Sequence, residues 1–389
     1  MDAQAADRWI VKNPRSAVVT ANAIRTFEFN GDQYAVVKAP QFSTLAADLF
    51  ASSDSVSEDM RITLPRVTAA ETPDQGTTAW HVAKLQYDQL PADANGTGVT
   101  VAVIDTGVDY THSALKDHMW TNAGEIAGNG IDDDGNGQID DVYGFDFTDD
   151  DSDPVDGDAH GTHCAGAIAS SMNPTSLAQG IAPGAKIMAV RIIGDEQMGF
   201  LSDAVAGIKY AADNGAKVMS NSWRVYQSWR SYDPSDVNVE LLRQAIIYAG
   251  EKGAIFVAAA GNESRDLDSN ADKMFPGGFE GLANLVVVAA SGQNDGMTYF
   301  SNYGPAHVSV AAPGDNIIST VPGNEWESMS GTSMATPIVA GAIARGLSAT
   351  YSTTDAIEKL VTTSTMNDTW KTRIRAPGVI SVMEYLKRQ

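Results

Sequence analysis

Six short apolar runs beyond residue 80 most constrain what this chain can become: residues 99–104, 186–192, 217–221, 254–259, 285–290 and 308–311. Runs this short, rich in Val, Ile and Ala, suit strands buried on both faces. Interleaved with them are stretches of helical character at 161–170, 203–214, 239–250, 332–348 and 354–362. The alternation predicts an α/β fold, a mostly parallel sheet with helices on both faces. In such sheets ligands sit at the carboxyl ends of the strands.

Three motifs offer chemistry in one order along the chain. Val103-Ile104-Asp105-Thr106-Gly107 closes the first apolar run, so the Asp105 carboxylate emerges at a strand's C-terminal end. His160-Gly161-Thr162-His163 opens a helix of small residues. Gly331-Thr332-Ser333-Met334-Ala335-Thr336-Pro337 places Ser333 at a helix N-terminus, where partial positive charge collects. A serine hydroxyl is a weak nucleophile and needs a base, and the base needs an orienting carboxylate. Ser333, His160 and Asp105 supply those three types. A fourth motif, Ala258-Ala259-Ala260-Gly261-Asn262-Glu263, reads as a buried strand ending in an exposed Asn. Taken alone, Gly-Asn is a turn dipeptide.

With these residues in this order, the chain resembles the subtilisin-type serine proteases over roughly residues 80–345. The resemblance implies an endopeptidase acting on protein or peptide substrates through an acyl-enzyme. His160 takes the Ser333 proton and Asp105 holds the imidazole. Asn262 and the Ser333 N–H receive the oxyanion. His163 is implied to be a structural neighbour, and Cys164 a buried thiol near the cleft. Substrate is expected to pair with two extended segments, Gly199-Phe200-Leu201 and Ser220-Asn221-Ser222-Trp223. Leu201, Ser222, Trp223, Arg224 and Gly261 are the expected substrate-binding residues. Leu201 and Trp223 would line an apolar pocket. Arg224 stands where many relatives have Gly, either clamping an acidic side chain or pointing to solvent. Met274 is expected near the floor of the first pocket, and residues 225–232 form an aromatic insertion.

The net charge of −23 is concentrated: residues 117–158 hold 14 Asp or Glu and no Lys or Arg. That pattern argues for a cation site and against nucleic acid as a partner. Within the segment, Asp132, Asp134 and Asn136 alternate, with Gln138 at the seventh position and Asp140 at the ninth. This is the opening of an EF-hand loop, although the twelfth position is Tyr143. Asp141, or Glu125 from upstream, is the candidate to replace the missing Glu. A flexible all-oxygen loop suits Ca²⁺ better than Mg²⁺. The insertion is also similar to a calcium-binding segment of some bacterial and protozoan subtilases. A single Cys excludes an internal disulfide, and no apolar stretch reaches the length of a transmembrane helix.

Residues 1–67 differ from the rest. Strand-like runs at 8–12, 18–29, 34–38 and 60–64, with an amphipathic helix at 45–50, resemble the propeptide of secreted subtilisins. Residues 56–59 read as an acidic turn. The expected organisation is therefore a propeptide-like inhibitor at 1–67, a linker at 68–79 and a catalytic domain at 80–389. Self-cleavage is expected between Leu64 and Glu71. Met1 to Asp7 lack the features of an export signal, yet a propeptide implies a secreted or periplasmic monomer whose signal this sequence does not include. Two other readings remain: a processing protease of narrow specificity, and an inactive calcium-dependent binding protein on the same fold. An accessory α+β domain is the alternative for the N-terminal unit.

Overall fold

A computed structural model describes residues 8–38, 53, 55–69, 79–225, 236–269 and 274–387. The N-terminal unit is an antiparallel sheet of β1 (Arg8–Lys12), β2 (Arg25–Phe29), β3 (Asp32–Lys38) and β4 (Ser55–Glu58), in the order β2-β3-β1-β4. Period-2 alternation gives it two faces. Ile10, Tyr34 and Val36 join the main core, while their neighbours Val11, Ala35 and Val37 pack with Val19 in a small separate core. Val19 lies on α1 (Ala17–Ala21), so the single run expected over 18–29 divides into a helix and then β2. The acidic turn expected at 56–59 is instead mostly strand, because Ser55–Glu58 pairs with β1. The helix expected at 45–50 lies outside the described residues.

After β4 the chain leaves this sheet. β5 (Arg61–Thr63) and β6 (Thr68–Ala69) pair with strands of the body, and α2 (Trp80–Lys84) follows. All six apolar runs are strands of one nine-stranded sheet. They are β7 (Thr100–Asp105), β9 (Lys186–Arg191), β11 (Val218–Asn221), β13 (Ile255–Ala259), β14 (Leu285–Ser291) and β15 (Val310–Pro313). With β8 (Gly144–Asp146), β18 (Thr365–Met366) and β19 (Gly378–Val379), the order is β18-β19-β15-β14-β13-β11-β7-β9-β8. Every pair is parallel except β18 with β19. β13, β14 and β15 are buried at every position, as a sheet covered on both faces requires.

The five expected helices are all present, as α3 (His160–Ala169), α4 (Leu201–Asp213), α5 (Val237–Glu251), α6 (Thr332–Ser348) and α7 (Thr353–Thr362). All ten residues of α3 are buried, which its run of Gly and Ala permits. The N-terminal sheet docks on α4 and α5 through charge and caps. Arg8 and Arg25 both pair with the buried Asp203 in the first turn of α4. Asp59 accepts from Ser202 N (3.1 Å) and Ser202 Oγ (2.6 Å), satisfying an otherwise unpaired donor at that helix start. Asn238 of α5 accepts from Met60 N at 2.9 Å. Among the described residues no helix is long and apolar enough to cross a membrane.

Candidate active site

Asp105 is the last residue of β7, at the carboxyl edge of the sheet. Its Oδ1 lies 2.7 Å from His160 Nδ1, and both side chains are buried. The approach depends on two backbones touching. A Cβ at Gly161 would fall 2.0 Å from Gly107 O, so only glycine lets the helix start this close to the loop after β7. Burial lowers the His160 pKa, but the Asp105 charge and hydrogen bond, helped by Asp158 and Asp156, outweigh it and leave the value raised. His163 behaves in the opposite way. Its Nε2 is 2.9 Å from Ile317 O, and burial drives it down to about 3, so it stays neutral and structural.

Ser333 is the second residue of α6, so its N–H is among those no helical carbonyl can satisfy. Its hydroxyl donates to Ser222 O at 3.4 Å, while Ser222 Oγ donates to Ser333 O at 3.0 Å. His160 Nε2 is buried and bonds to no other residue among those described. The Cys164 thiol donates to Ser333 O at 3.5 Å, and burial pushes its pKa well up, so it is inert as a nucleophile.

Asn262 lies just beyond β13. Its Oδ1 accepts from Thr332 N (2.9 Å) and Thr332 Oγ (2.8 Å), which fixes the direction of the amide. Its Nδ2 donates at 2.8 Å to a peptide carbonyl, that of Arg66. Gly261, at φ +101°, has no room for a side chain: a Cβ would fall 2.5 Å from Asn302 Nδ2.

The chain's own segment lies through this site as an extended peptide. β5 sits between β10 (Met198–Phe200) and β12 (Arg224–Val225), antiparallel to both. Downstream, β6 pairs antiparallel with β17 (Glu325–Ser330), which itself pairs with β16 (Ile317–Val321). Of the two segments expected to frame a substrate, the first thus pairs with residues 61–63 as β10, whereas on the other side the pairing falls on Arg224–Val225, just beyond the expected Ser220–Trp223, because Val218–Asn221 is taken up by the main sheet. Leu201 and Trp223 are fully buried, in the same apolar cluster as the buried Ile62 of β5. Arg224, expected either to clamp an acidic side chain or to point to solvent, is held by an acidic residue of the chain itself. It pairs with Glu263 at 3.1 Å, a partner the sequence pattern did not suggest. Met274 Sδ lies 4.0 Å from Arg224 Nη1 and 3.4 Å from Asn302 Nδ2, beside that pair. The aromatic residues beyond Val225 lie outside the described residues.

A sequence profile of the subtilase family matches residues 96–378, which takes in all four motifs. The chain belongs to the subtilase family. It is similar to thermitase of Thermoactinomyces vulgaris, 40% identical over 66% of this chain and 78% of the relative. It is similar also to a thermophilic serine proteinase of Bacillus sp. (strain AK1), at 38% identity over 68% of this chain and 53% of that protein. The solved structure of a cold adapted subtilisin-like serine proteinase superposes with a TM-score of 0.59 at 26% identity, covering 77% of this chain and 98% of the other. These relatives support serine endopeptidase activity in this subtilase.

The acidic insertion folds around a second cluster. Carboxylate oxygens of Glu125, Asp134 and Asp141 lie within 4.8 Å of one another. Asn122 and Asn136 each donate to both Asp134 and Asp141, and Tyr210 donates to Asp141. Asp132 turns the loop, accepting from the N–H groups of Gly135, Asn136 and Gly137. Asp140 faces upstream, accepting from Asn129 N and Gly130 N, and Gln138 N donates to Asn136 Oδ1. Of the expected ligands, the structure therefore brings together Glu125, Asp134 and Asp141, and spends Asp132 and Asp140 on backbone.

Proposed function

We propose that this subtilase is a self-processing serine endopeptidase of protein substrates, and that the bond it cuts in itself is Arg66–Val67. The observation that carries the reading is the Arg66 carbonyl, held by Asn262 Nδ2 at 2.8 Å. A donor aimed at that oxygen is worth most once attack has made it an oxyanion. In the reaction the Ser333 hydroxyl turns from Ser222 O to His160 Nε2, which takes its proton as Oγ attacks the Arg66 carbon. Asp105 holds the Nδ1 proton and favours the imidazolium that forms. His160 then protonates the Val67 nitrogen, that peptide end departs, and water releases the Arg66 carboxylate by the same steps. Intact mass before and after incubation tests the assignment.

Residues 1–66 then act as an inhibitor that remains docked on α4 and α5 after the cut, and Val67 becomes the new N-terminus of the enzyme. Docking is pH-dependent. Burial pushes the Asp59 carboxyl from 3.8 up to about 7, with the Ser202 hydroxyl opposing and Asp203 adding to the rise. A group raised in the bound state favours the complex fully below its free pKa. That contribution falls as pH rises toward about 7. The inhibition constant of the released segment should therefore rise at least tenfold between pH 5 and 8, each pKa unit being worth about 1.4 kcal/mol. Asp59→Asn should flatten that rise; an equally steep rise in the variant would assign it elsewhere.

Calcium has a structural part in this reading. Three carboxylates converge with only neutral amide and hydroxyl donors around them, an all-oxygen set that fits Ca²⁺. Glu125, Asp134 and Asp141 would hold the ion, with Asn136 and Asp132 shaping the loop. The ion would neutralise like charges and brace the loop against Tyr210 of α4. In Ser333→Ala protein, where self-digestion is absent, excess chelator should lower Tm by roughly 5 °C, the effect of losing about 2–3 kcal/mol of linked binding. An unchanged Tm would count against the ion. A docked inhibitor suits a protease kept inactive until it is exported, so we place its action outside the cytoplasm, as a monomer.

A further inference from the structure

One buried carboxylate outside the expected set bonds to residues that flank both members of the Asp105–His160 pair. Asp156 is 6% exposed. Its Oδ2 accepts from Thr162 N (2.8 Å) and Thr162 Oγ (2.6 Å), in the first turn of the helix that His160 opens. Its Oδ1 accepts from Asp158 N (2.9 Å), Ala159 N (3.1 Å) and Thr106 Oγ (2.9 Å). The Thr106 hydroxyl in turn accepts from Gly161 N at 2.9 Å, and Thr106 N donates to Asp105 Oδ1 at 2.8 Å. Five donors on one carboxylate thus link the residue after Asp105 to the residues on either side of His160.

The backbone beside His160 shows why such a link is needed. Ala159 sits at φ +113°, ψ −19°, a conformation an L-residue adopts only under constraint. It is the residue that turns the chain from the acidic loop into the helix, and its N–H is one of those Asp156 holds. Relaxation of Ala159 would rotate the start of the helix and carry the imidazole with it. Misplacement by about 1 Å costs on the order of 100-fold in rate.

We propose that Asp156 is a positioning residue for the catalytic pair, keeping the helix start strained so that His160 Nδ1 stays on Asp105. The inference rests on the endopeptidase reading above. Asp156 touches neither substrate nor reacting atoms; it acts through Thr106, Ala159 and Thr162.

The test compares wild type, Asp156→Ala, Asp156→Asn and Thr106→Val as full chains allowed to mature, with active sites counted by fluorophosphonate titration. Per titrated site, Asp156→Ala should lose about 100-fold in kcat on a peptide substrate with KM within about threefold. Asp156→Asn keeps one acceptor oxygen and should recover part of that loss. Thr106→Val removes the hydroxyl bridge between Asp156 and Gly161 but leaves the Asp156 bonds to Asp158, Ala159 and Thr162, so it should fall between wild type and Asp156→Ala, and its effect should be less than additive with Asp156→Asn. A purely structural role would lower Tm or the fraction of titratable sites and leave kcat per site at the wild-type value; that result overturns the proposal. If Asp156→Ala does not fold, the other two variants decide the matter by the same criterion. An inactive wild type would instead remove the endopeptidase reading, so the two failures are distinct.

Discussion

Ser333→Ala protein should remain a whole chain of 389 residues, while the unsubstituted chain should separate between Arg66 and Val67. Removing the nucleophile of an Asp-His-Ser set costs about a million-fold in turnover, so the variant stays intact on any practical timescale. The position of the cut follows from register on both sides. Upstream, Thr63 pairs with both Met198 and Arg224. Downstream, Thr68 pairs with Ser330 and Ala69 with Met329. Between these anchors the Arg66 carbonyl is the one Asn262 holds. The Arg66 side chain is exposed, so the site is chosen by strand pairing and not by a side-chain pocket. Arg66→Ala should accordingly be cut at the same bond, with the rate changed by a small factor only, and mass analysis of the two fragments reads this directly. A cut displaced by even one residue in the wild type would show that the docked register is not the reactive one.

The large sheet was legible because its strands are apolar along their whole length and its helices carry glycine and alanine where they must pack closely. The N-terminal unit was harder. Residues 18–29 hold β-branched residues throughout the stretch that becomes α1, and over five residues neither period is distinguishable. Ser55–Glu58 shows too little apolar pattern to read as a strand; its partner β1 lies far away in sequence. The candidate site divides in the same way. Asp105, His160, Asn262 and Ser333 stand in glycine-flanked motifs because their backbones approach one another too closely for side chains. Asp156 is followed by Gly157 and Glu263 ends the Gly261-Asn262 motif, yet neither spacing tells what the carboxylate bonds to. Asp156 lies in an acidic run whose members look equivalent, and only the fold shows that it is the one turned inward onto five donors. The spacing of Asp132, Asp134, Asn136 and Asp140 suggested ligands, yet two of those carboxylates serve backbone amides. A one-dimensional pattern does not distinguish an oxygen that closes a turn from one that faces an ion.

Asn262→Asp should lower kcat by roughly 100- to 1,000-fold with little change in KM, about 3–4 kcal/mol of lost barrier reduction. The substitution is nearly isosteric, and one oxygen of the new carboxylate can keep both bonds from Thr332 N and Thr332 Oγ. The strand end and the start of α6 therefore stay where they are. What changes is the atom facing the Arg66 carbonyl: a donor becomes a negatively charged acceptor just where reaction places negative charge. Asn262→Leu loses the donor without adding charge, but also abandons Thr332, so it tests the donor and its support together. The ordering of the two variants separates electrostatics from positioning. If Asp is the slower variant, the amide acts as an oxyanion donor, and the self-cleavage rate at Arg66 should fall in parallel with peptide turnover. If Leu is slower, holding Thr332 and the helix start that bears Ser333 is the larger part of what Asn262 does. Equal activity of Asn262→Asp and wild type would remove the oxyanion role altogether, because no conformational loss would be available to mask it.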